Sequence, residues 1–339
     1  MKVALDATPL VEPAGGIRRY TVELAQALAR NYPEDEVRLV SDQAYQPLRD
    51  AGIRQERVSA GRWWSLGLPR WLRQERIDLF HGTDFAVPYL PVRPAVMTVH
   101  DLSPWRFREG SERVRRRVPW LLRFGLATMI ITPSEAIRRE LLATFPVSPE
   151  EVRAVPLAAA SHLKPTLPTA GQQPYFLYVG ALEPRKNLET LVEAWSGLEG
   201  IDLILAGRPR PGFSVAARPG LRILGEVAEH ELASWYSGAL AAVYPSQYEG
   251  FGIPVLEAMQ CGAPVITSLD PAIRETAGDA ALSVADAGLR HALRRVASDP
   301  ALRAELRANG LRRAAQFSWD RTAQLTHDVY RTALRRYSG

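Results

Sequence analysis

The chain has 339 residues, more than one hydrophobic core usually organises, so we expect two domains. It is 46% apolar and 23% charged, which is typical of a globular protein, and no apolar run approaches the roughly 20 residues of a membrane span. The net charge of +5 is compatible with polyanionic partners. Nearly all the basic residues are arginine, however, which makes a dedicated nucleic-acid surface less expected. The exceptions are Lys2, Lys164 and Lys186.

Cysteine content and the first residues bear on the compartment. Cys261 is the single cysteine, which excludes an internal disulfide framework and fits a reducing environment. The opening residues, with Asp6 among them, are typical of a strand rather than of a secretory leader. We therefore expect a cytoplasmic protein.

Short apolar runs alternate with amphipathic segments along the chain, a pattern that predicts βα units and parallel sheets. A proline-rich stretch at residues 158–174 interrupts the alternation and predicts a linker. We expect an N-terminal domain over 1–160, a second α/β domain over 170–318, and a terminal helix of about 319–339 that crosses back to the first. The predicted strands are residues 3–8, 37–41, 77–81, 95–100, 128–132, 175–180, 201–207, 221–225, 240–244 and 264–267, and the clearest helices are 16–30, 134–144, 300–316 and 319–336.

Ligands of open α/β sheets bind beyond the carboxyl ends of the strands, so the residues after each strand are the candidates. After strand 240–244, Gly250 and Gly252 let the backbone approach a ligand at the start of a helix. Glu249 lies in this loop and Glu257 about one turn into the helix. Their carboxylates suit the vicinal hydroxyls of a sugar or ribose, although each acid alone also fits a solvated loop or a helix-dipole partner.

A second candidate follows strand 175–180, where Arg185 and Lys186 precede a helix that Asn187 is suited to cap. A guanidinium fork and a compact ammonium together suit a diphosphate. An ordinary basic loop explains the same residues in so arginine-rich a chain.

In the first domain, a turn that begins at Pro13 carries Gly15 and Gly16 in front of a helix, which presents backbone N–H groups to an anion. A plain helix-start turn is the alternative, because the spacing is not that of a dinucleotide-binding loop. His100 and Asp101 end a later strand, a position that favours function over a core role. His81 ends the preceding strand and is a weaker candidate for a functional residue.

The segment from Glu249 to Glu257 resembles the E-x7-E motif of family 4 of the retaining glycosyltransferases, within Glu-Gly-Phe-Gly-x-Pro-x-x-Glu-Ala. The resemblance extends over nearly the full length. It implies the GT-B fold, an α/β architecture of two facing Rossmann-like domains with parallel sheets and a cleft between them. The chain most resembles bacterial mannosyl- and rhamnosyltransferases of polysaccharide assembly.

The resemblance also implies roles for single residues. It places Glu257 on the ribose hydroxyls and Glu249 against the donor sugar, and it makes the loop of Arg185 and Lys186 the clamp of the nucleotide diphosphate. His100 is implied to lie near the donor sugar. The candidate catalytic residues are His100, Arg185, Lys186 and Glu249; the candidate donor-binding residues are Gly16, Arg185, Lys186, Val227, Gly250, Phe251, Gly252 and Glu257; the candidate acceptor-side residues are Gly15, His81 and Asp101.

Two mechanisms can retain the configuration of the sugar: a covalent intermediate on a carboxylate, or reaction on one face with help from the leaving phosphate. The second is favoured because no remaining carboxylate lies in a nucleophile motif. No Asp-x-Asp stands convincingly at a strand end, so we expect a metal-independent enzyme without a cofactor. GDP-mannose is the favoured donor, a UDP- or dTDP-sugar is possible, and the acceptor is a glycan or a lipid-linked glycan.

Other functions remain open. A sugar-nucleotide epimerase or a phosphorylase uses the same architecture, and a basic protein that binds polyanions fits the charge. Residues 62–73 and 113–124 mix aromatic side chains with arginine. Such segments either contact an anionic membrane at its inner face or form solvated helices with tryptophans in the core.

Overall fold

The computed structural model describes residues 1–12, 15–48, 52–107, 112–167, 173–210 and 212–338. The chain divides into two compact units, Met1–Leu157 with Trp319–Gly339, and Ala158–Ser318. The division falls at the start of the proline-rich segment, of which residues 168–172 lie outside the described ranges.

The first unit is built on a seven-stranded parallel sheet with the order β3-β2-β1-β4-β5-β6-β7. Its three adjacent strands β4, β5 and β6 are buried throughout, which is why they are continuous apolar runs in the sequence. The strands are β1 (Lys2–Asp6), β2 (Glu36–Ser41), β3 (Arg54–Arg57), β4 (Leu79–Gly82), β5 (Ala95–Thr98), β6 (Met129–Thr132) and β7 (Val152–Ala154).

The second unit has a six-stranded parallel sheet with the order β10-β9-β8-β11-β12-β13. The predicted α/β class with two parallel sheets is therefore confirmed. The strands are β8 (Tyr175–Val179), β9 (Asp202–Ala206), β10 (Leu221–Gly225), β11 (Ala241–Tyr244), β12 (Val265–Thr267) and β13 (Leu282–Ser283).

Three edge strands, β3, β7 and β13, were not predicted. Each pairs with one neighbour, so none has to be an apolar run, and β3 reads Arg-Gln-Glu-Arg. The strand β13 has two residues, too few to show any periodicity. The strands that were predicted all agree with the structure to within two residues at each end.

Helices connect the strands of both units. The predicted start at Ser134 is confirmed, because its hydroxyl oxygen accepts a hydrogen bond from the backbone N–H of Ile137 at 3.3 Å. The helices are α1 (Gly16–Asn31), α2 (Leu68–Gln74), α3 (Ser103–Arg106), α4 (Glu112–Arg123), α5 (Glu135–Thr144), α6 (Leu188–Trp195), α7 (Glu229–Gly238), α8 (Ile253–Gln260), α9 (Pro271–Ala277), α10 (Leu289–Ser298), α11 (Pro300–Ala314) and α12 (Trp319–Ser338).

The terminal helix α12 packs against α1 in the first unit. Trp319 is buried and its ring lies 6.3 Å from that of Tyr20. The hydroxyl of Thr322 donates to the carbonyl oxygen of Pro156 at 2.7 Å. The apolar face of α12 thus completes the core on the side of α1. Within the described ranges, every helix is too short or too polar to cross a membrane.

The two aromatic, arginine-rich segments differ in the structure. Residues 62–73 form one π-helical turn and then α2, and Trp63 and Trp71 are only 5% and 6% exposed in the core. Trp63 and Trp71 therefore lie in the core, as the second alternative for this segment expects. In α4, by contrast, Trp120 is 45% exposed, and Phe124 beyond its end is 61% exposed.

Candidate active-site residues at the carboxyl ends of the two sheets

Four charged side chains meet where the loops after β8 and β11 come together, and we call them the ion-pair cluster: Glu183, Arg185, Lys186 and Glu249. The ammonium of Lys186 donates to Glu249 Oε1 at 2.6 Å, and Arg185 Nη1 lies 3.6 Å from Glu249 Oε2. The other guanidinium nitrogen of Arg185 lies 2.8 Å from Glu183. The structure thus joins three sequence-predicted residues, Arg185, Lys186 and Glu249, in one network.

The cluster fixes the charge of Glu249. Burial by itself raises the pKa of this carboxyl, but the attraction of Lys186 and Arg185 outweighs it, so the pKa lies below its usual value. Glu249 is therefore ionised at neutral pH. Its carboxylate is committed to two cations, which makes it a holder of Lys186 and Arg185 rather than an available nucleophile.

Backbone contacts hold the two loops of the cluster. The backbone N–H of Gln247 donates to the carbonyl oxygen of Arg185 at 2.9 Å. Asn187 takes the left-handed conformation, φ 56°, at the start of α6. Its side-chain oxygen accepts from the hydroxyl of Thr190 at 2.7 Å, and its amide donates to Pro245. Asn187 occupies the predicted cap position, but its side chain ties the two loops together and does not cap a helix N–H.

The turn before α8 contains two glycines, and the second one has a left-handed backbone conformation that favours glycine. Gly252 has φ 97° and immediately precedes the helix, with Pro254 in its first turn. Gly250 comes two residues earlier in the same loop. Phe251 between them is buried, and its ring meets Phe317 edge to face at 5.9 Å. The side chain of Phe251 therefore belongs to the core, and a donor contact through the backbone amides of residues 250–252 stays a prediction.

Glu257 is buried within α8, with only 3% of the residue exposed. The hydroxyl of Tyr236 donates to its Oε2 at 3.3 Å, and Tyr244 donates in turn to Tyr236 at 3.4 Å. A carboxylate so placed has a polar partner already and is oriented before any ligand arrives. Its assignment to ribose hydroxyls stays a prediction.

Asp270 is a functional candidate that sequence reasoning missed. One carboxylate oxygen accepts from the backbone N–H groups of Ala272 and Ile273 at the start of α9, and the other accepts from the backbone N–H of Glu249 at 3.3 Å. Burial raises the pKa of Asp270 to about 6, and the neighbouring charge of Glu249 adds to this. Asp270 therefore positions Glu249. The sequence feature that could have identified Asp270 is the Asp-Pro pair that begins a helix shortly after a buried strand.

Val227 lies half-buried in the turn between β10 and α7. The preceding residue, Glu226, pairs with Arg208 of the loop after β9 at 3.0 Å, on the surface. The turn is thus tied to a neighbouring loop at the carboxyl end of the sheet. Contact of Val227 with a nucleotide base stays a prediction.

In the first unit, Gly15 and Gly16 begin α1. Gly15 has φ 136°, and its carbonyl oxygen accepts the backbone N–H of Arg19 at 3.0 Å. A Cβ atom added to either glycine meets nothing within 4 Å. Packing against the described residues therefore does not require glycine at position 16. Pro13 and Ala14 of the predicted loop lie outside the described residues, and the phosphate and acceptor roles of Gly16 and Gly15 stay predictions.

His100 follows β5 and is partly buried. Its Nε2 donates to the carbonyl oxygen of Thr83 at 2.8 Å, so this nitrogen carries the proton, and its ring meets Tyr20 edge to face at 4.9 Å. Burial lowers the pKa of the imidazole, which is neutral at pH 7. Asp101 accepts the backbone N–H of Ser103 at 2.9 Å and so begins α3. A neutral, oriented imidazole suits hydrogen bonding to a sugar better than charge stabilisation.

His81 is a core residue, which corrects its assignment to the acceptor side. It is fully buried, with Nδ1 2.7 Å from the hydroxyl of Tyr330 and Nε2 2.8 Å from that of Thr98. Burial lowers its pKa to about 3. Both nitrogens are occupied by the protein, so His81 ties the sheet to α12.

Two carboxylates at the ends of β1 and β4, of which Asp6 is buried and Asp84 is half-buried, were also missed. With a nearby guanidinium they form what we call the acidic cluster: Asp6, Asp84 and Arg117. Burial raises the pKa of Asp6 and of Asp84 to about 6. Thr8 donates to Asp6 through its hydroxyl at 2.6 Å. Asp84 Oδ1 is buried and has no hydrogen-bond partner within the described chain. These groups sit where acceptor chemistry is expected, at the carboxyl edge of the sheet.

No group of three or more His, Cys, Asp or Glu side chains within the described ranges is arranged to hold a metal ion.

Comparison with known proteins gives matches for both units. Residues 14–159 match the model of Glycosyltransferase Family 4, and residues 162–313 match that of Glycosyl transferases group 1. The chain is 31% identical over 98% of its length, and 100% of the relative's, to O-antigen chain mannosyltransferase B of Escherichia coli.

Solved structures share the fold over nearly the whole chain. Sucrose-phosphate synthase from Thermosynechococcus elongatus has a TM-score of 0.78 at 23% identity, with 98% of each chain covered. HepE of Anabaena, in complex with UDP and glucose, has a TM-score of 0.78 at 20% identity, covering 98% of this chain and all of that one. The fold is GT-B.

Proposed function

Because the chain belongs to the family 4 glycosyltransferases, we propose that it transfers a hexose from a nucleotide-diphosphate sugar to a glycan or lipid-linked acceptor, with retention of configuration. The observation that carries the donor assignment is the ion-pair cluster. Lys186 and Arg185 lie at the carboxyl edge of the second sheet, held by Glu249 at 2.6 and 3.6 Å, respectively. This edge is where such sheets bind nucleotides.

The cluster fits the charge that develops in the reaction. Departure of a nucleoside diphosphate concentrates negative charge on its phosphate oxygens, and preorganised cations stabilise that charge. Lys186 and Arg185 are buried enough for their field to be strong, with side chains 11% and 16% exposed. Glu249 holds both cations in place through its two carboxylate oxygens.

We favour reaction on one face of the sugar, in which the leaving phosphate takes the acceptor proton. Both carboxylate oxygens of Glu249 are held in ion pairs with Lys186 and Arg185, which makes this residue a poor covalent nucleophile. Arg185 and Lys186 supply the positive charge that a metal ion supplies in other transferases, so we propose a metal-independent reaction. Full turnover in EDTA is expected, and strict dependence on Mg²⁺ or Mn²⁺ would contradict this part of the proposal.

Mannose is the proposed sugar, carried by GDP. Its support is the O-antigen mannosyltransferase of Escherichia coli, which is similar along its entire length. The structural relative HepE binds UDP and UDP-glucose, so a UDP-sugar is the second candidate. An experimental test of the donor assignment therefore has to compare nucleotides that carry different bases.

Thermal-shift screening without metal tests the proposal. The protein is measured with GDP, UDP, ADP and dTDP and with their common sugars. We expect one base to raise the melting temperature, because a ligand at 100 times its Kd adds about 2.7 kcal/mol of stability. Glu257→Gln should abolish that rise. Its matched control is Glu231→Gln, an exposed acid of α7 in the same unit.

The outcomes separate the alternatives. No shift with any nucleotide would contradict the donor assignment and favour a phosphorylase. A shift that survives in Glu257→Gln would remove Glu257 from the site. Salt-sensitive binding of polyanions without sugar turnover would favour a polyanion-binding protein instead.

We propose a cytoplasmic enzyme with peripheral contact to the inner face of the membrane. Support comes from α4, where the exposed rings of Trp120 and Phe124 accompany a run of arginines. Anionic liposomes at low salt should sediment the protein, and Phe124→Ser should reduce the bound fraction. Failure of the unsubstituted protein to sediment would contradict this contact.

A further inference from the structure

The ion-pair cluster contains two carboxylates and two cations, so its formal charges cancel. Glu183 Oε1 lies 2.8 Å from Arg185 Nη2 and 3.9 Å from Lys186 Nζ. Glu249 pairs with the same two cations, with Arg185 at 3.6 Å and with Lys186 at 2.6 Å. Each of the four side chains is at most 17% exposed. A diphosphate that reaches Arg185 and Lys186 therefore meets cations that two acids already neutralise.

The two glutamates of the cluster are held in different ways. Lys186 donates a hydrogen bond to Glu249 at 2.6 Å, and the backbone N–H of Glu249 donates to Asp270 at 3.3 Å. Glu183 Oε1, by contrast, is buried and makes no hydrogen bond within the described residues, although Arg185 lies 2.8 Å away. Charge attracts this oxygen to Arg185 without an aligned hydrogen bond. A buried acceptor in that state costs stability, so Glu183 is the weaker of the two attachments.

Glu183 also differs from Glu249 in its place along the chain. It precedes both of its cationic partners in the same loop after β8. Its carbonyl oxygen accepts from the backbone N–H of Lys186 at 3.0 Å, which fixes the backbone of this turn. Rotation of the Glu183 side chain would therefore release Arg185 without movement of another loop. Glu249 belongs to the loop after β11, so its displacement would disturb the contact between two loops.

We propose that Glu183 is an internal counter-ion, which pairs with Arg185 and Lys186 when no donor is bound and gives way to the diphosphate of the nucleotide. The inference rests on the proposed function, because it takes the ion-pair cluster as the diphosphate site. Carboxylate and phosphate oxygens both accept paired hydrogen bonds from a guanidinium, so they compete for Arg185. Glu183 therefore lowers the affinity for the nucleotide.

The competition has a use after sugar transfer. The nucleoside diphosphate that remains must leave before the next donor binds, and product release limits the turnover of many enzymes. Return of the Glu183 carboxylate to Arg185 replaces the phosphate oxygens as they depart. Glu183 is thus a residue that sets the affinity for the leaving nucleotide, and it does so through the two cations.

Calorimetric titration of the full chain with GDP, UDP, ADP and dTDP tests the proposal. Glu183→Gln keeps the shape of the side chain and removes its charge. It should tighten binding of the preferred nucleoside diphosphate about tenfold, the scale of one charge-assisted hydrogen bond. Glu189→Gln is the matched control, because it removes an equal charge from an exposed residue in the first turn of α6. It should leave the affinity unchanged.

The charge of the ligand separates competition from a structural role. The gain in Glu183→Gln should be largest for the diphosphate, smaller for the monophosphate and absent for the nucleoside, because only phosphate oxygens compete with the carboxylate.

Four outcomes would overturn the counter-ion. They are unchanged or weaker binding of the diphosphate in Glu183→Gln, an equal gain in Glu189→Gln, an equal gain for nucleoside and diphosphate, and loss of sugar-nucleotide binding in Glu183→Gln, which would place this carboxylate on the donor. No binding of any nucleotide, either by the unsubstituted protein or by Glu183→Gln, would instead refute the donor assignment of the proposed function.

Discussion

The carboxyl ends of the two sheets carry opposite electrostatic arrangements on the same parallel scaffold. In the second unit, half-buried carboxylates meet cations in the ion-pair cluster, and the pKa of Glu249 is lowered. In the first unit, the acidic cluster holds two carboxylates near one guanidinium, and the pKa values of Asp6 and Asp84 are raised to about 6. One edge is therefore arranged for fixed charge and the other for groups that exchange a proton near neutral pH.

The difference shows that fold determines where side chains converge, while local partners determine their ionisation. Burial raises the pKa of a carboxyl in both regions. Only in the second region are cations close enough to reverse the shift, with Lys186 Nζ 2.6 Å from Glu249. Fixed charge suits stabilisation of a leaving diphosphate, whereas a carboxyl with a pKa near 6 suits hydrogen bonding to an acceptor hydroxyl.

Breaking the ion-pair cluster should have the largest effect. We expect Lys186→Ala to lower turnover at least about 100-fold, the scale of removing one oxyanion donor, because it takes away a cation and leaves Glu249 buried with less compensation. Steady-state turnover of the favoured donor measures the effect. Lys164→Ala, which removes an exposed lysine of the same unit, is the control and should be unchanged. Unchanged turnover in Lys186→Ala at an unchanged melting temperature would refute the diphosphate assignment.

Neutralising the acidic cluster should stabilise the protein. The pKa of Asp84 is about 6 in the folded state against an ordinary 3.8. Above pH 6 the carboxyl is ionised in both states and its burial disfavours folding. As the pH falls from 6 toward 4, the folded state takes up the proton first, so this cost disappears. We expect Asp84→Asn to raise the free energy of unfolding by roughly 3 kcal/mol at pH 8 and by much less near pH 4.

Urea denaturation across pH 4–8 measures this difference. The control is Asp279→Asn, which removes an exposed acid of the second unit and should show no such trend. A loss of stability in Asp84→Asn at pH 8 would mean that Asp84 is held ionised by Arg117, and the two regions would then be alike.

The smallest expected effect concerns His81, the histidine that belongs to the core rather than to either region. Tyr330→Phe removes the hydroxyl that lies 2.7 Å from Nδ1. We expect a loss of about 1 kcal/mol in the free energy of unfolding, typical of one buried hydrogen bond, and unchanged turnover. Urea denaturation and the transfer assay measure the two quantities. A large loss of turnover at unchanged stability would restore His81 to the acceptor side.

Much of this architecture follows from local patterns in the sequence. Buried parallel strands are apolar runs, so β4, β5, β6 and their equivalents in the second unit are predicted to within two residues. Helix starts such as Ser134 depend on contacts within one turn and are equally readable. The loops with Arg185, Lys186, Glu249 and Glu257 were found because they combine a strand end, a helix start and a family motif.

Tertiary structure alone decided the rest. The edge strand β3 has no apolar run, because a strand with a neighbour on only one side can remain exposed to solvent. His81 and His100 both end strands, yet only packing against Tyr330 of a helix about 250 residues away makes the first a core residue. The ionisation of Asp6, Asp84 and Glu249 depends on desolvation and on charges distant in the sequence. Local patterns therefore determined which segments form the sheets. Long-range packing determined which of the polar side chains are structural, ionised or protonated. The reason is that burial and charge contacts exist only once the chain has folded.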